Sequence, residues 1–196
     1  MSKRAFDLVF GFCALILSTP FLMLSAILVY LEDGAPVIFR QTRVGRNGRL
    51  FEIYKIRTMT KRAEQLPEQV KMRDAVGTLI HKSRDDPRVT RAGRILRRFS
   101  LDELPQLFNV LNGTMSLVGP RPELPDLVEQ YESWQYQRFN VLPGMTGWWQ
   151  INGRSDRPMH LHTEDDLYYI QNRSIWLDLQ IIFRTLWVVI TGKGAY

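Results

Sequence analysis

The stretch LVFGFCALILSTPFLMLSAILVYL, Leu8 to Leu31, contains no charged residue. As a straight helix rising 1.5 Å per residue it would be roughly 36 Å long, enough to cross a hydrocarbon core of about 30 Å. Its flanks argue against a simple crossing. Lys3 and Arg4 precede it; Arg40, Arg43, Arg46 and Arg49 follow, with Lys55 and Arg57 close behind. The positive-inside rule wants both flanks on one side, which a straight spanning helix cannot provide. Pro20 stands at the middle of the run. It has no N–H to give the carbonyl of Ile16 and would kink a helix, and the Ser18 and Thr19 hydroxyls beside it can serve freed backbone groups. The favoured expectation is a re-entrant membrane helix that bends at Ser18, Thr19 and Pro20 and returns to the face it entered. The alternative is a spanning helix with a tolerated proline. Asp7, one turn after Lys3 and Arg4, is expected to be paired at the interface.

The chain has 196 residues, enough for one compact domain beyond a membrane element, with the division expected at 1–35 and 36–196. A formal net charge of +6 and a pI near 9.7 favour phosphate-rich partners such as a nucleotide, anionic lipid or nucleic acid. Cys13 is the single cysteine, which excludes an intramolecular disulfide. The apolar run is longer than the core of a secretory leader, and no convincing small-residue cleavage site follows it.

Val37–Phe39 and Phe51–Tyr54 read as strands around the turn Gly45-Arg46-Asn47-Gly48. Residues 60–86 are polar and charged and read as a surface excursion or mobile loop. Thr90–Arg98 reads as a short basic helix or turn. Leu104–Leu111 reads as a helix ended by Asn112-Gly113, and Leu124–Arg138 as another helix. Asn152-Gly153 is a turn signal. Ile175–Ile190 is apolar but holds Asp178 and Arg184, so it is expected to lie at the membrane surface or in the core rather than to span. The fold class is α/β, mainly α with short strands, with interfacial amphipathic helices and a compact cytoplasmic catalytic core.

Ser100-Leu101-Asp102-Glu103-Leu104-Pro105-Gln106-Leu107 places two adjacent carboxylates at a helix start. One reading is a capping box, with Glu103 reaching back to the Ser100 amide. The other is chemistry, since an ionised aspartate is a competent nucleophile or metal ligand. Arg88, Arg91, Arg94 and Arg97 recur every third residue, Arg98 adds a neighbour, and no acid occurs from Val89 to Phe99. Repulsion on that scale calls for an anion among them. In Gly119-Pro120-Arg121-Pro122, two prolines fix the backbone around one guanidinium, and Gly119 permits close approach. Lys55-Ile56-Arg57-Thr58-Met59 ends a strand with two cations and a hydroxyl. Carboxylates among cations point to phosphoryl transfer, where neutralisation and positioning carry most of the catalysis. His160 and His162, followed by Glu164, Asp165 and Asp166, read as a solvated loop, since no further His or Cys completes a metal set. Few aromatics interleave with the basic residues and no nucleic-acid signature occurs, so no nucleic-acid partner is expected. The competing reading is a non-catalytic, membrane-tethered protein that binds anionic lipid or nucleic acid.

Across nearly the whole chain these residues resemble the bacterial sugar transferases, the monotopic phosphoglycosyl transferases. The resemblance rests on Arg97–Leu111, on Met115–Pro122 and on Lys55–Met59. It also rests on Pro143-Gly144-Met145-Thr146-Gly147 and the ending Gly192-Lys193-Gly194-Ala195-Tyr196. It implies transfer of a sugar-1-phosphate from a UDP-sugar to polyprenyl phosphate, with release of UMP, to initiate glycoconjugate synthesis. It implies Asp102 as the nucleophile that forms a covalent phosphosugar intermediate, Glu103 as second member of the dyad, and Mg2+ at Asp102 and Glu103. Lys55, Arg57, Arg97, Arg98, Gly119, Pro120 and Arg121 become the expected phosphate-binding set. The family's membrane helix is re-entrant, often breaking at a Ser-Pro pair where this chain has Ser18-Thr19-Pro20. The expected site of action is the cytoplasmic face of the bacterial inner membrane, among membrane lipid, with a homodimer compatible with the resemblance. The run Trp148–Arg154 looks like that of larger members, which carry additional N-terminal transmembrane helices and often use UDP-hexoses; this chain resembles their catalytic part.

Overall fold

The computed structural model describes residues 2–63, 72–73, 79–80, 86–152 and 162–191. The secondary structure is mostly helical with short strands, the class expected. Most of the anticipated excursion over 60–86, the turn at Gly153 and the ending Gly192–Tyr196 lie outside the described residues.

Helix α1 runs from Lys3 to Asp33 with Pro20 inside it. The Ser2 side chain caps it by accepting from the Ala5 amide, and Gly34, at φ 66°, ends it with its N–H on the Tyr30 carbonyl. Thr19 and Ser18 both donate to the carbonyl of Leu15, at 2.8 and 3.2 Å, one residue before the Ile16 carbonyl that Pro20 cannot serve. One stripe of α1 is buried along its length: Phe6, Asp7, Gly11, Ser25 and Val29, with Leu15, Ser18 and Leu22 partly buried between them. The large apolar side chains, including Val9, Phe12, Leu17, Phe21 and Leu24, face outward.

Both ends of α1 are fastened to the same body. Near its start, Arg4 donates to the carbonyls of Val110 and Leu111 at 2.6 and 2.8 Å. Asp7 pairs with Lys3, as anticipated, but inside the protein rather than at an exposed interface. It is 1% exposed and also accepts from the Ser116 hydroxyl and the Leu117 amide. At the far end, Glu32 accepts from the Arg91 and Ala92 amides at 2.8 Å each. Asp33 pairs with Arg57 at 3.1 Å.

Strands β1 (Ile38–Val44) and β2 (Leu50–Ile56) form an antiparallel hairpin in the register Ile38↔Ile56 to Val44↔Leu50. Asn47 and Gly48 turn it with φ of 58° and 74°, conformations these two residues adopt readily. Two-residue strands β3 (Met72–Arg73) and β4 (Leu79–Ile80) pair antiparallel. Helix α2 (Arg91–Arg98) is capped by the Thr90 side chain on the Gly93 amide. Helix α3 (Gln106–Asn112) ends at Gly113, φ 89°. Asn109 on α3 binds α3 to the backbone of β2: its amide donates to the Glu52 carbonyl at 2.7 Å and accepts from the Tyr54 amide at 3.1 Å. Strands β5 (Ser116–Val118) and β6 (Gly144–Thr146) pair parallel.

The helix anticipated over Leu124–Arg138 is instead two pieces, α4 (Pro125–Val128) and a 3-10 stretch, Ser133–Asn140. Glu132 and Gln135 form a reciprocal cap, which starts a new helix and keeps the intervening chain outside both. Helices α5 (Trp148–Ile151), α6 (Thr163–Asn172) and α7 (Ile175–Thr191) complete the fold. The main core joins Phe6 of α1, Ile53 of β2, Leu107 and Val110 of α3, Val118 of β5, Tyr169 of α6 and Ile181 of α7. On α7, Trp176, Phe183, Leu186, Trp187 and Ile190 are exposed, while Leu177, Asp178 and Ile181 are buried, the amphipathic pattern expected.

Helix α2 lies hard against the chain that leaves β2. A Cβ on Gly93 would come within 2.1 Å of the Thr58 carbonyl oxygen. Gly93→Ala must therefore push α2 off that backbone. The expected cost is about 1–3 kcal/mol, read as a lowered midpoint of thermal unfolding. Because Arg97 rides on α2, its alignment should be lost in the same variant.

Candidate functional site

The chain leaving α2 passes through Ser100 in the left-handed region, φ 53°, and enters a 3-10 turn, Leu101–Glu103. Ser100 makes no side-chain cap there, so the capping-box reading is not realised. Pro105 immediately precedes α3, where its missing N–H breaks no helical bond.

The Glu103 carboxylate receives two cations instead. Lys55 Nζ, from β2, and Arg121 Nη2, from the segment after β5, both lie 3.0 Å from Glu103 Oε1. Lys55, Glu103 and Arg121 are each less than one-fifth exposed, so screening is reduced. Glu103 raises the pKa of Arg121 above its ordinary value, against burial, with Glu123 and Asp102 adding to the effect. Asp102 is half-buried beside Glu103. Arg97 Nε donates to the Thr58 hydroxyl at 2.9 Å. Burial lowers the pKa of Arg97, and the charges of Asp102 and Asp86 oppose that shift. Asp102 thus lies in the field of both Arg97 and Arg121.

The anticipated set divides. Lys55, Arg97, Asp102, Glu103 and Arg121 come together. Arg57 is committed to the end of α1, donating to the carbonyls of Asp33 and Gly34 at 3.1 and 2.7 Å. Arg98 is exposed, with its guanidinium over the ring of its neighbour Phe99. Gly119 and Pro120 are buried, and their backbone groups bond to β6: Gly119 N to the Thr146 carbonyl, and Gly144 N to the Pro120 carbonyl. A Cβ on Gly119 would meet the Leu142 carbonyl oxygen at 2.5 Å, so the approach that glycine permits is to the chain entering β6. The arginine row does not act as one anion site. Arg88 forks onto Asp86 at 2.7 Å, while Arg91 and Arg94 are exposed.

Several charged residues of the site's support carry no signal in the sequence. Arg43 lies behind Arg121; burial and the Arg121 charge push it down to about 10, opposed by Glu123 and Glu103. It remains a cation at neutral pH and lies 3.8 Å from Glu123. Arg138, fully buried, donates to the Arg121 carbonyl at 2.8 Å and lies 2.6 Å from Asp166. Asp166 was expected in a solvated loop; it is buried in the first turn of α6, and burial raises its pKa. His160 lies outside the described residues.

Among the described residues no group of three or more His, Cys, Asp or Glu side chains could hold a metal ion. Mg2+ does not need one. It keeps several waters and takes one or two carboxylates together with substrate phosphates, and Asp102 and Glu103 supply such a hard-oxygen pair.

Residues 1–192 match the family described as bacterial sugar transferase. The galactosyl transferase CpsE of Streptococcus agalactiae is 47% identical over 84% of this chain and 37% of its own length. The undecaprenyl-phosphate galactose phosphotransferase of Salmonella typhimurium is 41% identical over 99% of this chain and 41% of its own. This chain therefore spans about two-fifths of those relatives. The exopolysaccharide production protein ExoY of Sinorhizobium fredii is 40% identical over all of this chain and 88% of its own length.

Proposed function

The chain belongs to the bacterial sugar transferase family, and we propose that it transfers a sugar-1-phosphate from a UDP-sugar to undecaprenyl or a similar polyprenyl phosphate, releasing UMP. The observation that carries this reading is the convergence of Lys55 and Arg121 on Glu103, next to Asp102 and in the field of Arg97. The relatives' names supply the substrate class: undecaprenyl-phosphate galactose phosphotransferase in one case, and a UDP-N-acetylgalactosamine-undecaprenyl-phosphate phosphotransferase in another. Exopolysaccharide production in the ExoY relatives supports a place at the start of glycoconjugate synthesis.

In this mechanism an Asp102 carboxylate oxygen attacks the phosphorus bearing the sugar. The Asp102–phosphorus bond forms, the diphosphate bridge breaks, and UMP leaves with its electron pair. A lipid-phosphate oxygen then attacks the same phosphorus, the acyl-phosphate bond breaks, and the Asp102 carboxylate is restored. Arg97 and Arg121 stabilise charge on the transferring phosphoryl group. Glu103 holds Lys55 and Arg121 at the distance that work requires. Asp102 and Glu103 would hold Mg2+, which when bound neutralises diphosphate charge. The test is to incubate the purified protein with Mg2+, polyprenyl phosphate and a panel of UDP-sugars and to measure UMP. Release with at least one donor, dependent on the lipid acceptor for repeated turnover, is expected; none with any donor refutes the reading.

The re-entrant placement of α1, with a catalytic domain over 36–196 on the cytoplasmic face, is part of this proposal. One body fastens both ends of α1, through Arg4 and Asp7 at the start and Glu32 and Asp33 at the end, which favours both ends on one side. The outward apolar face of α1 and the exposed Trp176 and Trp187 of α7 would then meet lipid. In a Cys13→Ser background, single cysteines at Ser2 and Asn47 are both expected to resist an impermeant thiol reagent in intact cells. Labelling of Ser2→Cys with protection of Asn47→Cys would mean that α1 spans.

A further inference from the structure

A cavity of about 440 Å3 opens where α1 and α7 begin, and it contains none of Lys55, Arg97, Asp102, Glu103 or Arg121. Its floor is satisfied internally. Lys3 lies 2.9 Å from both Asp7 and Asp178, and the Tyr169 hydroxyl lies within hydrogen-bond distance of Asp178, at 2.8 Å, and of the Val118 carbonyl, at 3.0 Å. Its rim differs. Arg46, at the hairpin tip, and Arg173, between α6 and α7, are exposed, and among the described residues neither has an ion-pair partner. Arg173 lies near enough to the Tyr169 hydroxyl to act on it electrostatically, so its charge reaches the cavity. Four cationic side chains line the space against two buried acids, leaving an excess of positive charge.

The surroundings are apolar in a particular direction. Lys3 opens α1, and beyond it Val9 and Phe12 are more than half exposed. Ile175, in the cavity wall, opens α7, and beyond it Trp176, Phe183 and Trp187 are each about 70% exposed. The cationic rim therefore adjoins the first residues of two helices whose apolar faces are exposed farther along. A free phosphate would use the rim and leave those faces unmatched; an apolar ligand would do the reverse. The volume lies in the range of small-molecule sites, roughly 300–1,000 Å3.

We propose that this cavity is a headgroup site for one anionic phospholipid of the surrounding bilayer. Arg46 and Arg173 grip the phosphate, the glycerol region enters above Lys3, and the acyl chains lie along the outward faces of α1 and α7. Held there, the lipid ties the hairpin tip and the α6–α7 junction to the membrane surface at the start of α1. The site rests on the membrane placement of α1 and α7 and not on the transferase chemistry.

The test uses the full chain in neutral micelles carrying either phosphatidylglycerol or phosphatidylcholine, with lipids retained per chain counted by native mass spectrometry. One phosphatidylglycerol and no phosphatidylcholine is expected on the wild type. Arg46→Gln with Arg173→Gln should weaken retention roughly tenfold or more, the loss of two charge-assisted contacts. Arg49→Gln with Arg94→Gln removes the same charge from exposed positions outside the cavity and should leave retention unchanged. Asp102→Asn should also retain the lipid, which separates this site from the reaction. Equal retention of the two lipids, or equal losses in the two double variants, overturns the proposal. Displacement of the lipid by glycerol 1-phosphate at comparable concentration would also overturn it, by showing a free-anion site.

Discussion

Asp102→Asn is expected to lower turnover by about 10^3-fold or more, the scale on which removing a covalent nucleophile acts. Asparagine preserves the shape of the side chain but carries neither the charge nor the lone-pair reactivity of a carboxylate. Two readouts isolate the step. Given a UDP-sugar without lipid acceptor, the wild type should gain the mass of one sugar phosphate, and Asp102→Asn should gain none. UMP release should vanish in parallel. Glu103→Gln makes the contrast. Its carboxylate holds Lys55 and Arg121, so its loss should slow adduct formation without abolishing it. Asp102 is half-buried, and its field acts on Arg97 and Arg121 without either depending on it alone. The variant should therefore unfold at nearly the wild-type temperature. Near-normal turnover in a folded Asp102→Asn protein would remove the covalent mechanism.

The residues that could be read in advance share one property: their role is set by neighbours in the chain. Gly113 follows the last turn of α3, Asn47-Gly48 sits at a hairpin tip, and Thr90 stands three residues before Gly93. Local chemistry fixes each of these. The amphipathic run Ile175–Ile190 is legible for the same reason, because period and composition are local quantities. The dyad was conspicuous in the sequence, yet its capping reading and its chemical reading could not be separated there. What Glu103 holds instead of the Ser100 amide is Lys55 and Arg121, and they lie 48 and 18 positions away.

Arg57 and Arg98 mark the limit from the other direction. Each is a cation within a cationic string, and nothing local distinguishes them from Lys55 or Arg97. What separates them is direction. Arg57 turns to the end of α1, and Arg98 lies on the exposed side of α2. The 3-10 stretch after Glu132 escaped for a related reason: its apolar spacing passes for helical, and only the reciprocal Glu132–Gln135 cap divides it from α4. Most hidden of all is the charge buried beneath Arg121, since a lone arginine in Gln135-Tyr136-Gln137-Arg138 reads as surface.

That buried arginine carries the second large expectation. Arg138→Met should lower stability by about 3–5 kcal/mol, the cost of breaking a buried ion pair from one side. Arg138 has no exposed side-chain surface and lies 2.6 Å from Asp166 and 3.9 Å from Glu123. It also contacts the Tyr131 hydroxyl. Its removal leaves Asp166 buried without that cation and with the charges of Asp165 and Glu123 acting on it; Glu123 keeps Arg43 at 3.8 Å. For a chain of this size the fall in melting midpoint should be roughly 10 °C. Removing both partners should cost less than removing one, so Arg138→Met with Asp166→Leu should recover part of the midpoint. Activity gives the more telling readout, because the Arg121 carbonyl loses its donor as well. In the stabilised double variant, at a temperature where it is folded, kcat should remain depressed while the midpoint recovers. If kcat returns along with stability, Arg138 serves the fold alone. If it does not, the buried arginine is a positioning residue whose Nη2 sets the backbone from which Arg121 reaches Glu103.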